Sequence, residues 1–402
     1  MMVLAQKHDL LSKRRYAMTV LQTIPEFGSL SGGTSTSTYD LLSTMNLMGC
    51  PIDLLTLQPS NPLDHLMGRG EEWIKVFPND SLSPFKYSQN IRQFLLHKDY
   101  DLYHTNGLWL YCNHETCLIA RKKRRPYLIT PHGMLYPAAV KRSYWKKWPL
   151  LQLFFHTDIA NANCFHATCR QEMEHIRNFG YAGPIAIIPN PTVSPDFLDE
   201  IAQQKATVMS QKRVHRFGFL GRLHPVKKIE NLLYAIAALP DKQDCELIII
   251  GKGDPDYEQF LHNEVTRLRL TNVTFRGFVS GREKYEELVR LSGLFVPSDF
   301  ENFGMIVTEA LSVGTPVMAS LGTPWEDLNT YKCGWWVDRD PENIAHVMEQ
   351  IMHMPTDQLL EMGLRGKHLV MEKFAASQVA RQMYELYEWL GANAPKPKFV
   401  YE

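Results

Sequence analysis

Apolar and polar residues alternate along the chain in two successive series. In the first, short β-rich runs at 16–24, 51–57, 102–104, 127–130, 163–167 and 185–188 are separated by stretches with helical spacing. The first of those stretches is marked by Tyr39, Leu42 and Met45 and stopped by Gly49. Such alternation predicts a parallel sheet covered on both faces by helices. Around Asn190 the pattern breaks into the proline-rich "PNPTVSPDF", followed by a polar helical stretch, which reads as an interdomain linker. A second series then starts, with strands expected at 216–220, 246–250, 273–275 and 294–296 and helices at 229–238, 257–268 and 283–291. The fold class expected is α/β, with two doubly wound parallel-sheet domains at 1–195 and 196–375. A helical segment over 376–402 is expected to pack back toward the amino-terminal domain.

Size and composition agree with that division. A chain of 402 residues is too long for one ordinary core, and 45% hydrophobic with 21% charged residues is the composition of a soluble globular protein. No run approaches the roughly 18 consecutive apolar residues of a membrane-spanning helix. The first residues interleave charges with apolar positions and lack a small-residue cleavage site, so a cytoplasmic protein is expected. Seven cysteines, an odd number scattered over the chain, fit reduced thiols. The net charge of zero hides an asymmetry: residues 1–195 hold 20 Lys+Arg against 14 Asp+Glu, and residues 196–402 hold 23 against 29. The two halves thus carry about +6 and −6. Neither a strong basic excess nor a base-stacking or helix-insertion motif points to nucleic acid.

In open parallel sheets ligands bind beyond the carboxyl ends of the strands, and with two domains the cleft between them is the expected site. In the first such loop Gly32 and Gly33 precede a helix, where bare amides suit an anion or a close ligand. A tight turn explains them equally well, and the dinucleotide fingerprint G-x-G-x-x-G is absent. The second domain opens with "FGFLGRLHPVKKIENLL", in which Arg222 and Lys227 lie between a strand and a helix and can converge on one anion. Gly251 and Gly253 follow the next buried strand. The pairs Asp254/Asp256 and Asp99/Asp101 lack further ligands for a metal and read as loop caps or turns. In "DFENFGMIVTEALSVGTP" Glu301 stands ahead of a short helix stopped by Gly314, and Glu309 lies eight residues on, close to two turns and so on one side. Glu309 sits among apolar neighbours, where a carboxylate needs a partner; the hydroxyls of a ligand are the candidate.

These motifs together resemble the GT-B glycosyltransferases of the large retaining family GT4, the "glycosyl transferases group 1" type. The resemblance covers nearly the whole chain: "SGGTSTSTYDLL", "TPHGM" at 130–134, "IPNP", "GRLHPVKK", "GKGD", "FRGFVS", "ENFGMIVTEAL" and "GTPVMAS". It implies two Rossmann-like domains facing across a cleft, an acceptor held mostly by the first and a nucleotide-sugar donor held mostly by the second. No metal and no other cofactor is implied. Carried over, Arg222 and Lys227 neutralise the donor diphosphate as its bond to the sugar breaks. Glu301 bonds the donor sugar's hydroxyls, and Glu309 those of the ribose. His132 reaches the sugar, Gly32 and Gly33 admit the diphosphate and sugar, and Gly251 with Asn302, Phe303 and Gly304 completes the donor loops. Arg276 to Phe278 border the base. The reaction implied is front-face displacement with retention, without a protein nucleophile, moving a hexose from a UDP- or GDP-sugar to a saccharide, lipid-linked acceptor in bacterial surface polysaccharide or lipopolysaccharide assembly. A nucleotide-sugar epimerase on the same fold and a non-catalytic sugar-nucleotide-binding protein stay open as alternatives.

Some positions depart from the family pattern. Lys228 stands where a glycine commonly follows the lysine, Pro191 replaces the glycine of a P-N-G turn, and Thr323 replaces a second glycine near Trp325, which is expected to shape the pocket. Cys112, His114 and Cys117, and Cys164, His166 and Cys169, have zinc-ligand types without zinc-site spacing and read as core residues. Finally, "VKRSYWKKWPLLQLFF" (140–155) alternates basic and aromatic residues, and "RKKRR" (121–125) adds charge worth about 1 kcal/mol per residue at an anionic membrane surface. A core helix and a solvated loop explain each segment alone. Together they raise peripheral attachment to the inner face of the plasma membrane.

Overall fold

A computed structural model describes residues 18–28, 32–59, 61, 64–79, 85–142, 144–211 and 214–402. Residues 1–17, which include the start of the first expected strand, together with the loop tip 29–31 and position 143, lie outside the described residues. The chain divides into two compact units, one running to Pro191 and resuming over Ala376–Glu402, the other Thr192–Ala375.

In chain order the first unit supplies β1 (Val20–Ile24), β2 (Ile52–Leu57), β3 (Ile74–Phe77), β4 (Leu102–Asn106), β5 (Tyr127–Thr130), β6 (Cys164–Ala167) and β7 (Ile185–Ile187). The second supplies β8 (His215–Leu220), β9 (Cys245–Ile250), β10 (Val273–Gly277), β11 (Gly293–Val296), β12 (Val317–Ser320) and β13 (Gly334–Val337), and β14 (Val400–Tyr401) returns to the first. The sheet of the first unit has the order β14-β7-β6-β5-β4-β1-β2-β3, parallel throughout except for antiparallel β14. That of the second, β10-β9-β8-β11-β12-β13, is wholly parallel. Both reverse direction beside their first strand, the doubly wound arrangement in which the crevice at the switch point takes ligands.

The strands form here because their side chains can be buried on both faces, which parallel pairing requires. Along β1, β2, β4 and β5, Val20, Ile24, Leu54, Leu102 and Leu128 join one core layer while Leu21, Leu55, Tyr103 and Ile129 join the other. The second unit repeats this, with Phe217, Leu247 and Phe295 on one side and Leu294, Val317 and Ala319 on the other. The last helix, Ala376–Ala392, buries Val379, Ala380, Met383, Tyr384 and Tyr387 in the first unit's core. The second unit begins and ends at one place: Thr192 pairs with Ala375, and its N–H donates to the Phe374 carbonyl at 2.7 Å.

Four strands went unread in the sequence: β3, β13 and β14, at sheet edges where half-exposed positions dilute the apolar signal, and β12, a short buried strand inside its sheet. The 140–155 stretch is not one amphipathic helix. It runs through Pro137–Lys141, Tyr144–Leu150 with Pro149 inside it, and the π-helical turn Leu151–Phe155, because Pro149 has no N–H to continue an i−4 ladder.

Candidate functional site

In the second unit the switch point lies between β8 and β11, and the loops leaving those two strands carry the predicted charges. After β8, Arg222 is exposed, with no hydrogen-bond partner among the described residues. A 3-10 turn, Pro225–Lys227, follows, and Lys228 closes it at φ 51°, ψ 42°. That left-handed conformation accounts for the family's usual glycine there, and Lys228 meets it with a side chain whose Nζ lies 3.5 Å from Asp299 Oδ2. After β11, Ser298 Oγ donates to Glu301 Oε1 at 2.8 Å, and the Lys227 ammonium donates to the same oxygen. The two loops are also joined through the backbone, the Asp299 N–H donating to the Val226 carbonyl at 2.7 Å. Arg339 Nε holds the other Asp299 oxygen at 2.7 Å. The Lys227 and Glu301 heads are thus brought together at one rim, each with its side chain less than a fifth exposed.

Glycines let these loops approach. At Gly251, φ 146°, a Cβ would stand 1.9 Å from the Gly221 carbonyl oxygen, and at Gly253 1.9 Å from that of Leu223. Gly304, at φ 81°, precedes the helix Met305–Ser312 that carries Glu309. Trp325 is buried beneath this loop, donating from Nε1 to the Phe303 carbonyl at 2.6 Å.

Other expected site residues are engaged within the fold. Phe303 is buried against Trp325 and Phe374, so its ring supports the loop from below. Glu309 already has a partner, Lys284 Nζ at 2.7 Å from Oε1, which sequence reasoning missed because it comes from another helix, Gly281–Arg290. Arg276 is committed to Glu287, with Nε to Oε1 at 3.0 Å, whereas Phe278 just beyond β10 is 61% exposed. Asn302 is half-buried. Asp254 caps the helix Pro255–Arg267 by accepting from the Asp256 and Tyr257 N–H groups, as a loop acid would.

In the first unit Gly32 precedes the helix Gly33–Leu47 at φ 86° with open space around it. His132 follows β5 at φ 50°, on a loop clamped by Glu172, whose Oε1 accepts from the Gly133 N–H at 2.7 Å while Oε2 accepts from the Thr168 N–H at 2.8 Å. Its Nε2 lies 2.9 Å from Asn106 Oδ1. Desolvation, and after it the neighbouring His166, push its pKa down to about 3, so the ring is neutral at physiological pH. The cysteine and histidine groups are core: Cys112, Cys117 and Cys164 are buried, His114 bonds Asp158, and His166 bonds Thr130 and the Ile188 carbonyl. No group of three metal-ligating side chains occurs among the described residues.

Of the 121–125 cations, Arg121, Lys123 and Arg125 are paired with Asp158, Asp99 and Asp101, which leaves less free charge than the sequence suggested. Trp145 and Leu153 are 76% and 72% exposed, and a cavity of about 600 Å³ is lined by Trp109, Lys147, Trp148, Leu151 and Tyr181 among others. Among the described residues no helix is long and apolar enough to cross a membrane.

Known proteins match this framework. The family described as "Glycosyl transferases group 1" matches residues 201–368, and the "Glycosyl transferase 4-like domain" matches 32–191. The chain belongs to the GT4-type glycosyltransferases of the GT-B fold. An uncharacterized glycosyltransferase of Methanocaldococcus jannaschii is 28% identical over 174 residues, 42% of this chain and 40% of that protein. The GDP-mannose-dependent alpha-(1-6)-phosphatidylinositol dimannoside mannosyltransferase of Mycobacterium tuberculosis is 31% identical over 137 residues, 34% of this chain and 35% of that one. The chain therefore spans well under half the length of these two relatives. A crystal structure of Anabaena HepE in complex with UDP and glucose superposes with a TM-score of 0.68 at 16% identity, covering 93% of this chain and all of that one. At that identity the GT-B fold is what the likeness shows.

Proposed function

We propose that this glycosyltransferase moves a hexose from a nucleotide-sugar donor, a UDP- or GDP-sugar, to a saccharide acceptor carried on a lipid, with retention at the anomeric carbon and without a metal. The observation that carries the reading is the meeting of Lys227 with Glu301 at the switch point of the second unit. A cation beside a carboxylate matches the two ends of such a donor. Lys227, with Arg222 five residues earlier, offsets the charge that develops on the diphosphate, and Glu301 accepts hydrogen bonds from sugar hydroxyls. With no nucleophile needed from the protein, Glu301 acts by position and charge. The exposed Phe278 offers a face for the base, and the open backbone at Gly32 admits a ligand. In the first unit His132 offers a neutral imidazole to a sugar hydroxyl.

The lipid-linked acceptor is supported by the aromatic cavity beside Trp148 and by the exposed Trp145 and Leu153, which suit an anionic membrane surface. A relative that acts on a phosphatidylinositol dimannoside makes GDP-mannose the first donor to try.

The test is a panel of nucleotide sugars scored for slow hydrolytic release of free nucleotide, which needs no acceptor. One donor should be hydrolysed well above the rest, and Glu301→Gln should lower that rate about a hundredfold while the unfolding transition is kept. Unchanged turnover in the variant would remove the assigned role. Sedimentation with phosphatidylglycerol vesicles tests the membrane contact, and a protein wholly in the supernatant would end it.

A further inference from the structure

Buried polar side chains of the first unit form one continuous chain from the backbone at Ile188 to His132, passing through the last helix. His166 Nε2 lies 2.8 Å from the Ile188 carbonyl, and His166 Nδ1 lies 2.8 Å from Thr130 Oγ1. Thr130 Oγ1 lies 2.6 Å from His104 Nε2, and His104 Nδ1 lies 2.8 Å from the Tyr387 hydroxyl. Gln22 Nε2 donates to that hydroxyl at 2.6 Å, Asn106 Nδ2 donates to Gln22 Oε1 at 2.8 Å, and Asn106 Oδ1 faces His132 Nε2 at 2.9 Å. Every member except His132 is buried.

The direction of each bond follows from one end. A carbonyl only accepts, so His166 must carry its proton on Nε2. Burial pushes the pKa of His166 down to about 4 and that of His104 well below the ordinary histidine value, so both rings are neutral and have one N–H each. His166 Nδ1 therefore accepts from the Thr130 hydroxyl. With its single proton spent there, Thr130 accepts from His104 Nε2–H, which leaves His104 Nδ1 to accept from Tyr387. The Tyr387 proton is then also committed, so the Gln22 group beside it must be the amide nitrogen. Gln22 Oε1 then faces Asn106, which must turn its own nitrogen there and its oxygen to His132. Both amides stand in the orientation this logic requires. The last bond can form only if His132 Nε2 carries a proton.

We propose that Tyr387 is a positioning residue for His132: acting through Gln22 and Asn106, it fixes the imidazole as the Nε2–H tautomer and leaves Nδ1 as the lone pair that receives a substrate hydroxyl. The inference rests on the reading of His132 as a group that meets a sugar hydroxyl. It makes the ring an acceptor there, and it makes a residue on the last helix part of that selection. No other hydrogen bond engages Nδ1 among the described residues.

Nitrogen NMR of the full-length protein with labelled histidine reads the tautomer directly. His132 should show a protonated Nε2 and a bare Nδ1, and Tyr387→Phe, which keeps the ring and removes the hydroxyl, should turn this into a mixture. Turnover of the best donor should fall about ten-fold, with KM little changed. An Nδ1–H ring in the unaltered protein, or an unchanged His132 spectrum in the variant, overturns the proposal. A changed spectrum with full turnover overturns its functional half and leaves the donor site of the second unit untouched. If no nucleotide sugar is turned over at all, the wider reading fails while the spectra still decide the tautomer. Thr130→Val interrupts the same chain at another point and serves if the tyrosine variant does not fold.

Discussion

Acidification should destabilise the first unit well before its carboxylates titrate. His132 and His166 have pKa values near about 3 and about 4, and His104 is lower than ordinary as well, in each case chiefly through desolvation. Unfolding returns all three to the ordinary value of about 6.5. The unfolded chain therefore binds more protons, so stability is complete above about pH 6.5 and is lost as the pH falls toward the folded values. Between about pH 7.5 and 5, each of His132 and His166 costs about 2 kcal/mol, a loss of about 4 kcal/mol, and His104 acts in the same direction. Against a typical total of about 5 to 15 kcal/mol this decides whether the unit stays folded. Urea titrations across that range, with amide exchange in β4, β5 and β6 to locate the loss, measure it. His166→Gln should reduce the slope by nearly one proton. A stability that is flat down to about pH 5 would refute the reasoning, since no neutral buried cluster could then be present.

Other outcomes follow from single contacts. Gly251→Ala sets a Cβ 1.9 Å from the Gly221 carbonyl oxygen and should cost about 3 kcal/mol, read as a lowered melting temperature. Lys284→Met strips Glu309 of its ammonium partner and should cost about 2 kcal/mol, much of it regained in the double variant with Glu309→Gln. Donor hydrolysis should survive EDTA if Arg222 and Lys227 offset the diphosphate charge as proposed; loss of activity restored by Mg²⁺ would contradict that.

Most of the framework was legible because parallel strands buried on both faces read as short apolar runs, as in "CELIII" and "GLFV". The charged loops were legible because each begins where such a run stops. What escaped depended on partners far away in the chain. Lys284 lies 25 residues from Glu309, and Gln22 meets Tyr387 across 365. The polar members of β4, β5 and β6 look in sequence like interruptions of apolar strands, and only the fold reveals that they satisfy one another. Phe303 illustrates the opposite case: its motif marks the loop that carries Glu301, whereas its ring packs into the core beneath that loop.

The second unit enters and leaves through neighbouring residues, Thr192 and Ala375, while the first is completed only by the last helix and β14. During synthesis the later-encoded unit therefore finishes before the earlier one can. By the time residue 375 has left the ribosome its sheet is whole, whereas the nascent first sheet still lacks an edge and the Tyr387 hydroxyl that His104 and Gln22 require. A stop codon just after 375 would thus spare a self-contained second unit and strand the half that began the chain.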